Sequence, residues 1–300
     1  MFLKRGSTTK VLTALVFLLI VTSFSIGQEV TINTSQNTLY VGGIGLGNYT
    51  SIQNAINDSE NGDIVFVYNG TYYEHIIVNK SVSVIGKNNS NTIIDAGQIG
   101  HAIIITAENV KIINFTIQNS GPGEWDAAVR VMANKSTVQN NTITNCGDGI
   151  SLIPSSHSKI LNNEISEGFA GIDIYGLEVD AVNNTIKGNI LKNMTYPLWI
   201  GFAHDTKIIR NDFSENIYAI MMEDSYDNLF SQNNFRDNEF NAHFTNISNN
   251  KWKNNYWDRA RLLPYVIVGA KYTRFFNIPM FNIDWRPALK PYCMDCECIN

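Results

Sequence analysis

From Ser136 to Ile150 the chain reads STVQNNTITNCGDGI. Apolar and polar positions alternate, as along a strand with one buried face. Two asparagines, which are poor strand formers, interrupt the run. Ser158 to Ile172 repeats the arrangement as SKILNNEISEGFAGI. The shared pattern, x-Φ-x-x-N-x-Φ with Φ apolar, recurs as VQNNTI, ILNNEI, IKGNIL, IIRNDF, FSQNNF and WKNNYW. These place Asn141, Asn163, Asn189, Asn211, Asn233 and Asn255 at steps of 22, 26, 22, 22 and 22 residues. The longer step is one period with a four-residue insertion near GLEVDAVN. One step of 26 earlier, VKIINFTI carries Phe115 in the asparagine slot, and VSVIGKN before it is recognisable but irregular.

Each period holds short alternating runs separated by glycine and asparagine. The linking segments are too short for βαβ crossovers, which need a dozen or more residues. A constant step with such strands predicts a solenoid, one period per coil, its parallel strands stacked along an axis. Eight or nine coils at one strand spacing each give a rod roughly 40 Å long. Ile150 and Leu152, Ile172 and Ile174, Leu198 and Ile200, and Ile220 and Met222 point inward, so no coil has a core of its own. The asparagine column reads as structural. Asparagine tolerates the left-handed conformation of a sharp corner. Its amide both donates and accepts, so residues one coil apart can form a ladder.

The ends predict caps, because an open coil end is an exposed strand edge. TSIQNAINDS suggests a short helix with Thr50 as N-cap and Ile52, Ala55 and Ile56 on its apolar face. Residues 259–292, rich in aromatics, suggest a C-terminal cap, and residues 293–300 a cysteine-containing tail. The repeat region then runs over 28–258. Residues 1–27 look like an export signal, with Lys4, Arg5 and Lys10 before an apolar stretch from Val11 to Ile26. The alternative is an uncleaved membrane anchor, for which the stretch is short. Either places the remainder outside the cytoplasm, secreted or at the cell surface.

Composition agrees with such a surface. The chain is 44% hydrophobic but only 16% charged, with a net charge of −5. That argues against nucleic acid as a partner. About a dozen N-x-S/T sequons, Asn48, Asn69, Asn134, Asn183 and Asn246 among them, are potential glycan acceptors. Four cysteines are too few for a disulfide scaffold.

Two stretches carry a family resemblance: YTSIQNAINDSENGDIVFVYNGTYYEHIIVNKSVSVIGKNNSNTIIDAG, and the closing NNYWD with IPMFNIDWRPALKPY. Over about Tyr49 to Tyr292 the chain resembles NosD-like β-helix proteins, also called periplasmic copper-binding β-helix proteins. These belong to a wider group of carbohydrate-binding proteins and sugar hydrolases, and the ending resembles archaeal members. The resemblance implies an all-β, single-stranded, right-handed parallel β-helix of the pectin-lyase-like class. The group mixes enzymes, binding proteins, surface-layer components and maturation factors for a copper enzyme.

Function should lie at the outward positions. One outward column reads Arg130, Ser151, Asp173, Trp199, Met221 and His243. The next reads Met132, Ile153, Tyr175, Gly201, Glu223 and Thr245. Asp173 beside Tyr175 and Trp199, with Arg130 and Glu223 further along and Trp125 as a wall, would make a sugar-stacking platform. The plain alternative is a face covered by a loop. Catalysis would need two carboxylates, or a base with an arginine or calcium. No two carboxylates on adjacent coils share this face by the periodicity, and Asp148 falls at the glycine turn. The five histidines lie on separate coils without ligand spacing. Cys293, Cys296 and Cys298, with Met294, would suit copper(I) or zinc, or a disulfide. The reading is an extracytoplasmic protein that binds polysaccharide or other envelope components, with a polysaccharide lyase or hydrolase and a copper-handling accessory protein as rivals. Membrane contact would come only through an uncleaved N-terminal segment.

Overall fold

The computed structural model describes residues 36–123, 125–272 and 277–294. The expected signal or anchor, and Cys296 and Cys298, lie outside them. The chain winds into a parallel β-helix. One flank is a ten-stranded sheet, from Thr38–Val41 through Lys111–Ile113, Thr137–Gln139 and Lys159–Leu161 to Lys251–Lys253. Every neighbouring pair in it is parallel, with Val84, Ile112, Val138 and Ile160 in register. Ten rungs exceed the eight or nine expected. The first coils escape the 22-residue period because their register pairs Ile64 with Ser83 and Ser83 with Lys111, steps of 19 and 28.

The other two flanks form one branched sheet. At the N-terminal end they are separate: Gly70–Tyr72, Thr92–Asp95 and Thr116–Gln118 on one side, Ile76–Val78, Ile103–Ile105 and Ala127–Val131 on the other. They merge in the middle coils as three long strands, Thr142–Leu152, Glu164–Tyr175 and Ile190–Gly201. They part again into Asp212–Ser214 and Met221–Glu223. A groove lies over the merged strands.

Apolar ladders fill the interior. Val138, Ile160, Ile186 and Ile208 stack on one flank, Ile143, Ile165 and Leu191 on a second, and Leu152, Ile174 and Ile200 on the third, all essentially inaccessible to solvent. Burying each such side chain is worth about 1.5–3 kcal/mol. Towards the C-terminal end the ladders turn aromatic. Phe213, Phe235, Trp257 and Tyr265 form a continuous ring stack.

The asparagine column is a hydrogen-bonded ladder, but it does not turn the corner itself. The left-handed residue is the one before it: Asn140, Asn162, Gly188, Arg210, Gln232 and Asn254 have φ of 55°, 51°, 70°, 53°, 58° and 56°. The ladder asparagines are buried. Asn141 Nδ2 donates to Asn163 Oδ1 and to Ile112 O, and its Oδ1 accepts from Phe115 N. The same pattern passes through Asn163, Asn189, Asn211 and Asn233 to Asn255. A buried corner strips backbone groups of water, and the amide side chain replaces it. Two further ladders were not anticipated. Asn216 and Asn238 serve a second corner, and Asn228 and Asn250 a third.

At the N-terminal end the helix Ile52–Asp58 buries Ile52, Ala55 and Ile56 as expected. Its N-cap is Ser51 rather than Thr50, and the Glu74 carboxylate accepts from Ile52 N, Gln53 N and Ser51 Oγ. Negative charge at the exposed N–H groups of the first turn explains that choice. At the other end Tyr265–Tyr272 and Asn277–Asp284 form an antiparallel hairpin beside His243–Thr245. Asp284, fully buried, ends the asparagine ladder by accepting from Asn255 Nδ2, Asn255 N, Asn254 N and Trp257 Nε1.

Candidate functional site

The outward columns take the register the period implies. Arg130, Ser151, Asp173, Trp199, Met221 and His243 are partners in sequence, as are Tyr175, Gly201 and Glu223. A third row lies nearer the corner: Asp148, Ala170 and Tyr196. The rows bound a groove of about 220 Å³, lined by Trp125, Asp148, Phe169, Ala170, Asp173, Tyr175, Tyr196, Trp199 and Glu223. Small residues shape its floor. A Cβ on Gly201 would come within 2.5 Å of the Tyr175 ring, so only glycine lets that ring lie across the neighbouring coil.

Five of the six residues expected at the sugar platform line this groove. Arg130 does not. It lies three coils below Trp199 in the same column, half-buried, with Nη1 sealed from solvent and without a hydrogen-bond partner. Two expectations need correction. The periodicity put no neighbouring carboxylates on this face, yet Asp148, Asp173 and Glu223 share the groove. Asp148 reaches it because the long strands carry the sheet through the glycine turn instead of stopping there. Asp173 and Trp199 also prove less open than a surface platform would be. Asp173 is 6% exposed and Trp199 is half-buried, because aromatic side chains cover the row.

That cover sets the electrostatics. Burial pushes the Asp173 carboxyl up to about 7, Arg130 opposes the rise, and the Glu223 charge adds to it. Desolvation disfavours the charged form, so Asp173 stays largely protonated just below neutrality. Neither the Asp173 nor the Glu223 side-chain carboxyl makes a hydrogen bond or ion pair with a described residue. Ser151 Oγ and Trp199 Nε1, in the same column, are likewise buried without a partner. Unpaired buried polar atoms concentrated in one column are what a site for a polar ligand leaves when empty.

The walls are aromatic. Phe169 meets Tyr196 edge-on at 5.3 Å and 76°, and Trp199 is tilted 55° to Tyr196 at 5.2 Å. Tyr175 meets Phe202 at 75°. Tyr196 stacks its other face on Tyr218, which stacks on Phe240. Phe169 also rims a second depression of about 300 Å³, lined by Gln98, Ser120, Pro122, Asn145, Cys146 and Gly147. Phe169 and Tyr196 were missed from the sequence. Carrying the steps of 22 and 26 from Asp148 to Ala170 and Tyr196 would have found the row.

The thiol cluster has a different character. Cys293 is disulfide-bonded, which removes one thiolate from the expected metal set. Cys146 is a free, buried thiol. His204 stacks on Tyr226 and pairs with Asp205. Among the described residues no three potential ligands from histidine, cysteine and acidic side chains converge.

Known proteins agree with the architecture. Solved structures with the same fold include a carrot pectin methylesterase and a PL6 alginate lyase complexed with a trisaccharide. The first has a TM-score of 0.51 and 14% identity, over 71% of this chain and 82% of its own. The second has a TM-score of 0.53 and 14% identity, over 74% of this chain and 55% of its own. At such identity the likeness is one of fold. A cell surface glycoprotein of Methanothermus fervidus is 31% identical over 200 residues, which is 54% of this chain and 33% of that protein. The chain thus spans only a third of the length of that relative. The model of the right handed beta helix region matches residues 42–201 and 127–273, so this chain belongs to the right-handed β-helix family.

Proposed function

We propose that this is a cell-surface β-helix protein that binds carbohydrate in the groove over the merged strands. One observation carries the reading: five aromatic side chains enclose a groove that also holds the Asp173 and Glu223 carboxyl groups and the buried, unpartnered Trp199 Nε1. Sugars present apolar ring faces and hydroxyls that donate and accept, the combination such walls and atoms would satisfy. A second depression meets the groove at Phe169 and offers room for further units of a polymer. A surface location is supported by the relative named a cell surface glycoprotein, by the N-terminal apolar segment and by the sequons. Serving as an envelope component is compatible with the same groove.

The test is a glycan-binding screen followed by calorimetry on any hit. Trp199→Ala should weaken binding by about 1–3 kcal/mol, the loss of one stacked ring. A hit whose affinity is untouched by this change would remove the groove from the reading. One observation favours a catalytic second reading: a protonated Asp173 shares the groove with Glu223, as the acid and base of a glycosidase do. New reducing ends released from a bound glycan, and lost in Asp173→Asn, would establish it.

A further inference from the structure

Among the described residues, the acidic or basic side chains that line the groove are all carboxyl groups: Asp148, Asp173 and Glu223. The cation in the same column, Arg130, lies outside the lining, with Ser151 between it and Asp173. Neither the Asp173 nor the Glu223 carboxyl is spent on a hydrogen bond or ion pair with a described residue. Around them stand the rings of Trp125, Phe169, Tyr175, Tyr196 and Trp199. These rings meet at steep angles, 76° between Phe169 and Tyr196 and 55° between Tyr196 and Trp199. They therefore wall a space.

We infer that this groove is an ammonium cage, and that the sugar unit it takes carries a protonated or quaternary amine. The assignment rests on the carbohydrate reading above and names its ligand class. Each part of the lining suits an organic cation. Ring faces attract it through their quadrupoles. Glu223 carries the negative charge below neutrality, and a bound ammonium favours loss of the proton from Asp173 beside it, so the pair offsets the cost of taking the cation out of water. The space, about 220 Å³, is below the roughly 300–1,000 Å³ of drug-sized pockets and suits a single substituted ring. A uronate would fail on the same grounds. It would bring a second negative charge beside Glu223 in a water-poor site, where like charges repel strongly. This groove therefore selects against the uronate-rich polymers that other grooves on parallel β-helices could accept. An N-acetylated amine keeps the shape but loses the charge, so it should bind less tightly.

Calorimetry on the full chain at pH 6 would use four probes: glucosamine oligosaccharides, their N-acetylated counterparts, galacturonate oligomers and choline. The glucosamine oligomer should bind about tenfold or more tighter than the acetylated one. Its affinity should fall with added salt, and galacturonate should give no heat. Glu223→Gln, nearly isosteric, should remove most of that preference. Equal affinity for charged and acetylated oligomers, or binding of galacturonate, would overturn the inference and leave the carbohydrate reading standing. Choline binding without any sugar binding would keep the ammonium cage and overturn the carbohydrate reading. No binding of choline or of the glucosamine oligomer would overturn the cage.

Discussion

Asp173 shows how an outward position can become a buried one. Alternation puts it on the outer side of its strand, and the register places it beside Trp199. The ring cover then removes water and raises its carboxyl to about 7. The consequence for stability has a definite sign. A carboxyl whose folded pKa lies above its unfolded value binds more protons in the native state between the two values. Its contribution is therefore fully present below about pH 4 and is lost as pH rises to about 7, with no further loss above. Full ionisation should cost on the order of 4 kcal/mol at about 1.4 kcal/mol per pKa unit. Asp173→Asn should accordingly be more stable than the parent at pH 8 and lose that advantage toward pH 5. Urea unfolding of both proteins across this range reads the difference directly, and parallel curves would refute the assignment.

At the scale of the element, one corner is built by two neighbouring residues with different tasks. Asn140 takes the left-handed turn, and Asn141 seals the buried backbone behind it. This explains why the turn position varies among Asn, Gly, Arg and Gln while the ladder position stays Asn in every coil from Asn141 to Asn255. A left-handed turn in a half-exposed corner tolerates several side chains. A buried amide that must donate twice and accept along the axis has few substitutes. Asn141→Leu leaves Phe115 N and Ile112 O without partners. Unsatisfied buried groups cost about 1–3 kcal/mol each, so unfolding should shift by roughly 2–6 kcal/mol while ligand affinity holds. Unchanged unfolding would mean that the ladder is incidental.

Across the whole molecule, coils depend on their neighbours, so the ends decide whether the rod survives. Glu74 closes one end on a helix N-terminus, and Asp284 closes the other on the asparagine ladder. A buried carboxylate that gathers four donors from the last coil and its tryptophan is the terminal acceptor of the whole column. Asp284→Ala should cost about 3–5 kcal/mol, the range for losing one partner of a buried charged network. The loss should begin locally. Amide exchange should accelerate first in Lys251–Lys253 and Tyr256–Trp257, because stability passes between nearest neighbours. Uniform acceleration along the rod would contradict that order. An unsealed edge also invites pairing with other chains, so the variant should aggregate on warming.

By itself the sequence determined the solenoid, its inward ladders, its asparagine column and which outward residues stack on one another. A fixed period converts residue number into position, so these relations need no knowledge of side-chain packing. Where the period broke, legibility broke with it. The irregular first coils hid the extra rungs, and the corner at Asp148 hid the third row of the groove. Only the tertiary structure decided that three carboxylates share one concavity, that aromatic cover buries Asp173, and that Asp284 ends the ladder. Those facts depend on three-dimensional contacts between side chains on different rows and on a hairpin that follows no period. Burial and electrostatics are properties of such contacts, and no spacing along the chain encodes them.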